Sequence, residues 1–402
     1  MLDGVRILDL GWVLGGPFAG QTLAQLGAEV IKIESLEGDL ARRFPPYFFE
    51  GDSAFYLSVN RGKSAIALDL KQADGRAVFA DLVRRSDAVI YGFAPDVPPR
   101  LGLDFATLSR INPRICVGAL IGLHDAPPYD AAPSFDTIAQ ALAGVMTITG
   151  EKDGPPARVG YQVADLVGGL YLALAVVGAL VKAGRAGQGS YAQISLLDGQ
   201  LAMLTWQAQN YFVSGEVPRA LGSRHATIAP SEAFRCADGR WIVITAATDR
   251  FWLPLCQAIG RPDLAGDPRF IDAAARTANV AALSGELGRA FLQRGADDWA
   301  ERLFAARVPA GKANAVDEAL AQPLADLRHM VETVARPGSG SPMRFLGNPI
   351  KFAGSRPLSY PPALGQDTRR LLHGLCGYDH ARIDALVAAG SVFCAVPEKP
   401  PA

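Results

Sequence analysis

One aspartate, Asp165, stands directly before sixteen uncharged and mostly apolar residues, 166–181. Such a stretch predicts a buried helix that begins at Asp165, where aspartate is a favoured N-cap and the helix dipole stabilises its charged form. Gly168 and Gly169 reduce the bulk of the first turn, which would let a ligand approach the backbone. A charged carboxylate beside an open space is a candidate nucleophile, although the same residues would also form an ordinary helix cap.

The apolar stretch must also be compared with a membrane span. It is shorter than the roughly 20 residues that a spanning helix needs, and it contains three glycines. We therefore expect a core helix and no membrane association.

The composition is that of a globular enzyme and excludes several other classes. The chain has 402 residues, of which 49% are hydrophobic and 20% charged, and its formal net charge is −1. A nearly neutral chain predicts no nucleic-acid partner. The five cysteines form no C-x-x-C pair, so neither a metal site nor a disulfide framework is predicted. Charged residues within the first six positions argue against a signal peptide, which favours a cytoplasmic location.

The first half of the chain alternates between two kinds of pattern. Apolar runs typical of strands are residues 5–10, 29–33, 64–70, 88–93 and 115–121, and helical segments between them are 17–26, 73–84 and 103–110. This alternation predicts an α/β fold, a large Rossmann-like domain with a mostly parallel sheet. The glycines at 11–16 lack the G-x-G-x-x-G spacing, so dinucleotide binding is not predicted.

A second, smaller domain is expected after residue 210. A hairpin pattern surrounds Asp238-Gly239, and three helical segments follow it. We expect a large domain from 1–210 and 331–402 and a small α+β domain from 225–330. The Pro- and Gly-rich stretch 339–362 is expected to connect them.

Several segments then carry a resemblance that extends over almost the whole chain. In order, they are LDGVRILDL (2–10), LGAEVIKIE (26–34), NRGKS (60–64), LDLK (68–71), RLG (100–102), DTIAQA (136–141), DLVGG (165–169), VPAG (308–311) and LGQDT (364–368). Together they resemble the class III coenzyme A transferases, the family of formyl-CoA transferase, carnitine-CoA transferase and α-methylacyl-CoA racemase. The fold implied is that of an interlocked homodimer.

The resemblance implies roles for particular residues. The family's catalytic aspartate matches Asp165, which would attack an acyl-CoA thioester and pass through an anhydride and an aspartyl-CoA thioester. Coenzyme A enters as a substrate, and no permanently bound cofactor is implied. The residues implied in coenzyme A binding are Leu68, Lys71, Phe93, Arg100, Leu101 and Gly15. For Lys71 and Arg100 the alternative is a solvated surface charge.

The substrate is suggested by four positions. Phe135 stands where the racemases have their catalytic histidine, and phenylalanine cannot transfer a proton. Arg224 and His225 resemble a loop of dicarboxylate-using members, where they would contact a distal carboxylate, although a polar linker is an equal alternative. Leu14 replaces a glutamine of formyl-CoA transferase, so formate and oxalate are not expected substrates.

Three hypotheses follow. The first is a CoA transferase that moves coenzyme A to a small carboxylic acid, with succinyl-CoA as a possible donor. The second is another acyl-CoA enzyme on the same fold, a racemase or an intramolecular transferase. The third is a non-catalytic acyl-CoA binding protein, against which Asp165 argues.

Overall fold

The computed structural model describes residues 1–130, 132–355 and 357–395. The strands are β1 Arg6–Leu10, β2 Glu29–Glu34, β3 Phe48–Phe49, β4 Asp52–Ser53, β5 Lys63–Leu68, β6 Ala88–Tyr91, β7 Cys116–Ile121, β8 Tyr191–Ser195, β9 Ser231–Arg235, β10 Trp241–Thr245, β11 Ala310–Lys312, β12 Val331–Ala335, β13 Pro342–Leu346 and β14 Val392–Phe393. The α-helices are α1 Gly15–Gln25, α2 Ala54–Ser58, α3 Ala73–Val83, α4 Val97–Leu101, α5 Phe105–Ile111, α6 Asp136–Leu142, α7 Val145–Ile148, α8 Val163–Ala186, α9 Leu196–Met203, α10 Thr205–Ser214, α11 Asp249–Ala258, α12 Ala273–Ala278, α13 Val280–Phe291, α14 Ala296–Ala305, α15 Val316–Ala321, α16 Pro323–Leu327, α17 Thr368–Gly374 and α18 His380–Ala388. Short 3₁₀ turns cover Leu40–Arg43 and Pro262–Gly266.

The main sheet has seven strands in the order β14-β5-β2-β1-β6-β7-β8. Its six strands from β5 to β8 run parallel, whereas β14 pairs with β5 in the antiparallel direction. Counted along the chain, the parallel strands have the order 3-2-1-4-5-6 of a doubly wound Rossmann-like sheet. The predicted α/β fold with a large, mostly parallel sheet is confirmed.

Side chains that alternate in direction along each strand form a hydrophobic core on both faces of this sheet. Ile7 packs with residues of α1 and α8 on one face, and Leu8 packs with residues of α3 and α5 on the other. Successive side chains of a strand point to opposite faces. Helices therefore cover both faces, which explains why most positions of the central strands are apolar.

The helix α8 is longer and less buried than the sequence predicted. It spans 24 residues, and it is the one helix of the described residues that is long and apolar enough to cross a membrane by length and composition. Leu172 and Val176 are buried against the sheet, but Leu170 and Leu174 are exposed. The expectation of a buried core helix is met on one face only, because the other face of α8 does not meet the sheet.

The chain divides into two compact units. The first contains residues 1–145, 159–210 and those from Leu324 onward, and the second contains Met146–Arg158 and Tyr211–Pro323. The second unit has a three-stranded sheet, β11-β10-β9, and a core that includes Trp252 and Trp299.

The bounds of the second unit differ from the small domain expected at 225–330. Backbone hydrogen bonds tie the segment 146–158 to the loop after α10, from Ala220 N to Thr147 O at 3.1 Å and from Gly222 N to Gly150 O at 2.9 Å. Local sequence patterns do not reveal such long-range pairing. The stretch expected as a plain connector, 339–362, contains β13, which pairs with β12.

Candidate active site

A cavity of about 700 Å³ lies at the carboxyl ends of β1, β6 and β7. Its walls come from the loops that follow these strands, 12–16, 92–96 and 120–124, together with residues 132–135 and Asp165. The strand order reverses between β1 and β6. Doubly wound sheets bind their ligands at such a reversal, so the fold itself favours this position for a site.

Asp165 enters this cavity from the first turn of α8. The N-cap of α8 is Gln162, which makes no side-chain capping bond, so Asp165 is the third helical residue and the expected N-cap position was wrong. The cap comes from a distant residue instead. Asp136 Oδ1 accepts a hydrogen bond from Ala164 N at 2.7 Å, and Asp136 Oδ2 accepts one from Gln140 Nε2 at 2.7 Å.

The surroundings of Asp165 favour its protonated form, whereas the sequence predicted that they stabilise its charged form. Burial, and then the charge of Asp136, raise the pKa of Asp165 to about 7. Within the described residues no group donates a hydrogen bond to its carboxylate, and no lysine or arginine lines the cavity. The expectation that the helix start keeps Asp165 fully ionised is therefore wrong, because desolvation exceeds the stabilisation by the helix dipole.

Two glycines allow α1 and α8 to approach each other closely beside Asp165. A methyl group built on Gly15 would lie 3.1 Å from the carbonyl oxygen of Asp165 and 3.5 Å from its Oδ1. A methyl group on Gly169 would lie 2.6 Å from the carbonyl oxygen of Gly15. Bulkier residues at either position would push α1 and α8 apart beside Asp165.

Several donors face the same cavity. Gly15 and Gly16 are the first residues of α1, whose N-cap Leu14 makes no side-chain capping bond, and the first N–H groups of a helix have no partner within it. Ser134 Oγ is buried and has no hydrogen-bond partner in the part of the chain that the structure describes. Preorganised donors of this kind stabilise a negatively charged oxygen that develops during a reaction.

A second cavity of about 380 Å³ contains most of the residues predicted to bind coenzyme A. Leu68, Lys71, Phe93 and Leu101 line it. Trp12 and Phe93 line both this cavity and that of Asp165, so the two adjoin. A long ligand could therefore reach from one to the other.

Two of the predicted coenzyme A residues lie elsewhere. Arg100 is not among the lining residues of the second cavity, and its guanidinium pairs with Asp96 at 3.2 Å on the surface. Gly15 lies in the wall of the Asp165 cavity.

The predicted substrate residue Phe135 lies in the cavity of Asp165. Its side chain is 75% exposed, and the residue is the N-cap of α6. His124 lines the same cavity, and its Nδ1 accepts a hydrogen bond from Ala126 N at 2.9 Å. Sequence reasoning missed the contribution of Trp12 and Ser134. A signal for Trp12 was present, since it stands two residues after the end of the first strand, where ligand-binding loops begin.

Arg224 and His225 belong to the second unit. Arg224 lines a cavity of about 410 Å³ together with Lys152, Glu151, Glu232 and Trp241. His225 is not among the lining residues, and its Nδ1 accepts a hydrogen bond from Thr227 N at 3.2 Å.

The electrostatics of the Arg224 cavity are mixed. Burial raises the pKa of Glu232, although Ser284 and Arg224 oppose this shift. Gly222 and the two residues after it, Ser223 and Arg224, line this cavity. Among the described residues no group of three or more His, Cys, Asp or Glu side chains could hold a metal ion.

Comparison with known proteins agrees with this geometry. The family model for CoA-transferase family III matches residues 2–368. The chain is 38% identical to an acetyl-CoA:oxalate CoA-transferase of Acetobacter aceti, over 88% of this chain and 89% of the relative. It is 35% identical to a succinate–glutarate CoA-transferase of Agrobacterium fabrum, over 92% and 94%.

A solved structure shows the same fold. The crystal structure of a CAIB/BAIF family protein from Brucella suis superposes with a TM-score of 0.82 at 34% identity, covering 93% of this chain and 99% of the other. The chain belongs to CoA-transferase family III.

Proposed function

We propose that this CoA transferase moves coenzyme A from an acyl-CoA donor to a small dicarboxylic acid, with Asp165 as the covalent nucleophile. The observation that carries the proposal is the Asp165 carboxylate, which has no hydrogen-bond donor within the described residues and faces a cavity of about 700 Å³. The relatives named for glutarate and oxalate support a dicarboxylic acceptor.

The reaction proceeds by four acyl transfers. A carboxylate oxygen of Asp165 attacks the thioester carbonyl of the donor. The coenzyme A thiolate departs, and a mixed anhydride between the donor acid and Asp165 forms. The thiolate then attacks the Asp165 carbonyl, which releases the donor acid and forms an aspartyl-CoA thioester. The acceptor carboxylate displaces the thiolate from this thioester and forms a second anhydride. The thiolate attacks the acyl carbonyl of the acceptor, which yields the new acyl-CoA and regenerates the Asp165 carboxylate.

The raised pKa of Asp165 suits this chemistry. A carboxylate with a pKa of about 7 is more basic than an ordinary one and is still ionised in about half of the molecules at neutral pH. Each attack also develops a negative oxygen. The N–H groups of Gly15 and Gly16 and the hydroxyl of Ser134 are the donors that we assign to these oxygens.

We assign coenzyme A to the cavity lined by Leu68, Lys71, Phe93 and Leu101. Lys71 supplies a cation for the phosphates, and the apolar residues suit the adenine. This cavity shares Trp12 and Phe93 with that of Asp165, which supports a bound coenzyme A that extends from one to the other. Arg100 is assigned to a phosphate at the exposed end, where it would exchange Asp96 for the ligand.

We assign the distal carboxylate of a dicarboxylic acid to Arg224, with His225 as a second donor. A carboxylate that leaves water needs a cation or hydrogen-bond donors to offset its lost hydration. Arg224 lines a cavity that also contains Lys152. Phe135 occupies the position of the racemase base and has no titratable group, which supports transfer rather than racemisation.

The enzyme is proposed to act as a homodimer. The exposed apolar face of α8, with Leu174 at 66% and Val181 at 51% exposure, supports burial against a second copy. Sedimentation velocity at micromolar concentration tests this, and a monomer throughout would contradict it.

The nucleophile is tested with the wild-type protein and Asp165→Ala. The protein is incubated with succinyl-CoA and labelled oxalate, glutarate, mesaconate and acetate, and the new thioesters are measured. Oxalate is included because of the Acetobacter aceti relative, although Leu14 argues against it. Trapping with hydroxylamine should place a hydroxamate on Asp165 of the wild type. Near wild-type turnover by Asp165→Ala would refute the proposal.

The acceptor site is tested with Arg224→Ala, and with Arg235→Ala as a matched control on the exposed side of β9. Arg224→Ala should reduce the use of succinyl-CoA far more than the use of an uncharged acyl-CoA. Equal losses on both donors would show that Arg224 is structural. A wild-type preference for uncharged acyl chains would contradict the dicarboxylate assignment.

A further inference from the structure

The turn after β1, residues 11–14, has a strained backbone in the wall of the Asp165 cavity. Val13 has a φ of 61°, in the left-handed region that a β-branched residue strongly disfavours. Leu14 N donates to Trp12 O at 2.8 Å, which closes the turn tightly. The turn leads directly into Gly15, which lies against the Asp165 carboxylate.

Two fully buried ion pairs lie beneath this turn. Lys32 pairs with Asp39 at 2.8 Å, and Lys63 pairs with Asp9 at 2.7 Å, with all four side chains 0% exposed. They also bind the backbone of the turn. Lys32 Nζ donates to Gly11 O at 2.9 Å, Asp39 Oδ1 accepts from Val13 N at 3.2 Å, and Asp9 Oδ1 accepts from Gly11 N at 2.7 Å.

The pair of Lys32 and Asp39 is in turn fixed to the wall of the coenzyme A cavity. Asp39 N donates to Glu34 Oε2 at 2.8 Å, and Arg42 binds both oxygens of Glu34, at 2.8 and 2.7 Å. Glu34 lines the cavity of Lys71. One chain of buried charges therefore connects the lining of the second cavity with the turn that lines the first.

Stability alone does not account for these pairs. The attraction within a buried ion pair often only offsets the desolvation of its two charges, and apolar residues of similar volume serve as well. What apolar residues cannot do is bind Gly11 O and Val13 N. Asp39 Oδ1 also accepts from Ala41 N at 2.9 Å, at the start of the 3₁₀ turn Leu40–Arg43, so the pair fixes the backbone both of the turn after β1 and of this segment.

We propose that Lys32 and Asp39 are positioning residues, which hold the Trp12–Val13 turn in its left-handed conformation and thereby keep Gly15 against the Asp165 carboxylate. The proposal rests on the proposed function of Asp165 as the nucleophile. It assigns neither residue a contact with substrate.

The test first replaces Lys32 and Asp39 by apolar residues and then removes the backbone strain at Val13. Lys32→Met/Asp39→Leu removes both charges and the backbone contacts. We expect kcat to fall about tenfold or more while the KM for the donor changes much less, because misplacement at the site slows the chemical step. Hydrogen exchange in the peptide that contains residues 11–16 should become faster.

Val13→Gly distinguishes positioning from a general structural role. Glycine adopts a positive φ without strain, so adding Val13→Gly to the double variant should recover several-fold of the lost kcat, a gain well above its effect in the wild type. Val13→Ala is the matched control, since it removes the same side chain but keeps the cost of a positive φ. If alanine rescues as well as glycine, or if neither rescues, the proposal is wrong.

Two further measurements keep the outcome decisive. Should the double variant fail to fold, Lys32→Met replaces it, because methionine retains most of the side-chain volume but cannot donate to Gly11 O, and Asp39 can take up a proton in place of its lost partner. A folded variant with wild-type kcat would overturn the proposal. Asp165→Ala is assayed in parallel. Full activity of this variant would refute the role of Asp165 as the nucleophile, whereas the hydrogen exchange of residues 11–16 would still report on the turn.

Discussion

The carboxylate of Asp136 caps the helix that carries Asp165, although 28 residues separate Asp136 from the capped amide of Ala164. The contact has two effects. It satisfies an N–H group that Gln162 leaves uncapped, and it places a negative charge near Asp165 that adds to the effect of burial on its pKa. Asp136 thereby helps to position Asp165 and adds to the rise in its pKa that burial causes.

Asp136→Asn should move the acidic limb of the pH profile of kcat/KM to lower pH. In the wild type this limb is expected near pH 7, because the nucleophile must be ionised and its pKa is about 7. Removing the charge of Asp136 lowers the pKa of Asp165, and burial alone then keeps it above the ordinary value of 3.8. Gln140→Leu is the control, since it removes a hydrogen bond of Asp136 but keeps its charge. An unmoved limb in Asp136→Asn would show that the charge of Asp136 does not act on Asp165.

Asp165→Asn should stabilise the protein increasingly as the pH rises. Since the pKa of Asp165 is about 7 when folded and 3.8 ordinarily, the folded protein binds more protons between these values, and the wild type loses stability as pH rises through this window. Asparagine does not ionise, so the difference grows from about pH 4 to about pH 7 and then levels off. At about 1.4 kcal/mol per pH unit its upper limit is about 4 kcal/mol.

Chemical denaturation at several pH values measures this effect. Asp74→Asn, an exposed carboxylate in the first turn of α3, is the surface control. Mass spectrometry should confirm that the introduced amide has not been hydrolysed back to a carboxylate. A difference in stability that is constant with pH would contradict the raised pKa.

Gly169→Ala should impair transfer, whereas Gly184→Ala on the same helix should not. A methyl group on Gly169 would lie 2.6 Å from Gly15 O and 3.1 Å from Phe18 Cδ1, so α1 and α8 must separate beside Asp165. Gly184 has open space around it, and its replacement should stabilise the helix by about 0.5–1 kcal/mol. Steady-state kinetics and thermal unfolding of both variants measure these effects. Equal kinetics in the two variants would mean that the close approach of the helices is not needed.

Lys71→Ala should raise the KM for the acyl-CoA donor about tenfold, within the roughly 1–3 kcal/mol of a charge-assisted hydrogen bond. Arg100→Ala should have a smaller effect, because its guanidinium lies on the surface beside Asp96. Arg110→Ala, an exposed residue of α5, is the control. An unchanged KM in both Lys71→Ala and Arg100→Ala would show that they are surface charges.

Much of the fold could be read from the residues, because the strands that are buried on both faces are short apolar runs. Residues 29–33 and 115–121 were predicted as strands, and the structure has Glu29–Glu34 and Cys116–Ile121. The edge strand β8 was missed, since its side chains alternate in exposure and mix with polar residues. The last strand, β14, has only two residues and depends on its pairing with β5.

The sequence by itself also determined which carboxylate to consider, because Asp165 stands before an apolar helix and matches a family motif. Only the tertiary structure decided the pKa, and therefore the protonation state, of that carboxylate. Its pKa depends on desolvation and on Asp136, and neither local propensity nor the helix dipole contains this information. The same holds for Lys32 and Asp39, which are ordinary charges in the sequence. They become a buried pair beneath the turn of Val13 only when β1 and β2 lie side by side, because burial and long-range pairing are properties of the folded chain.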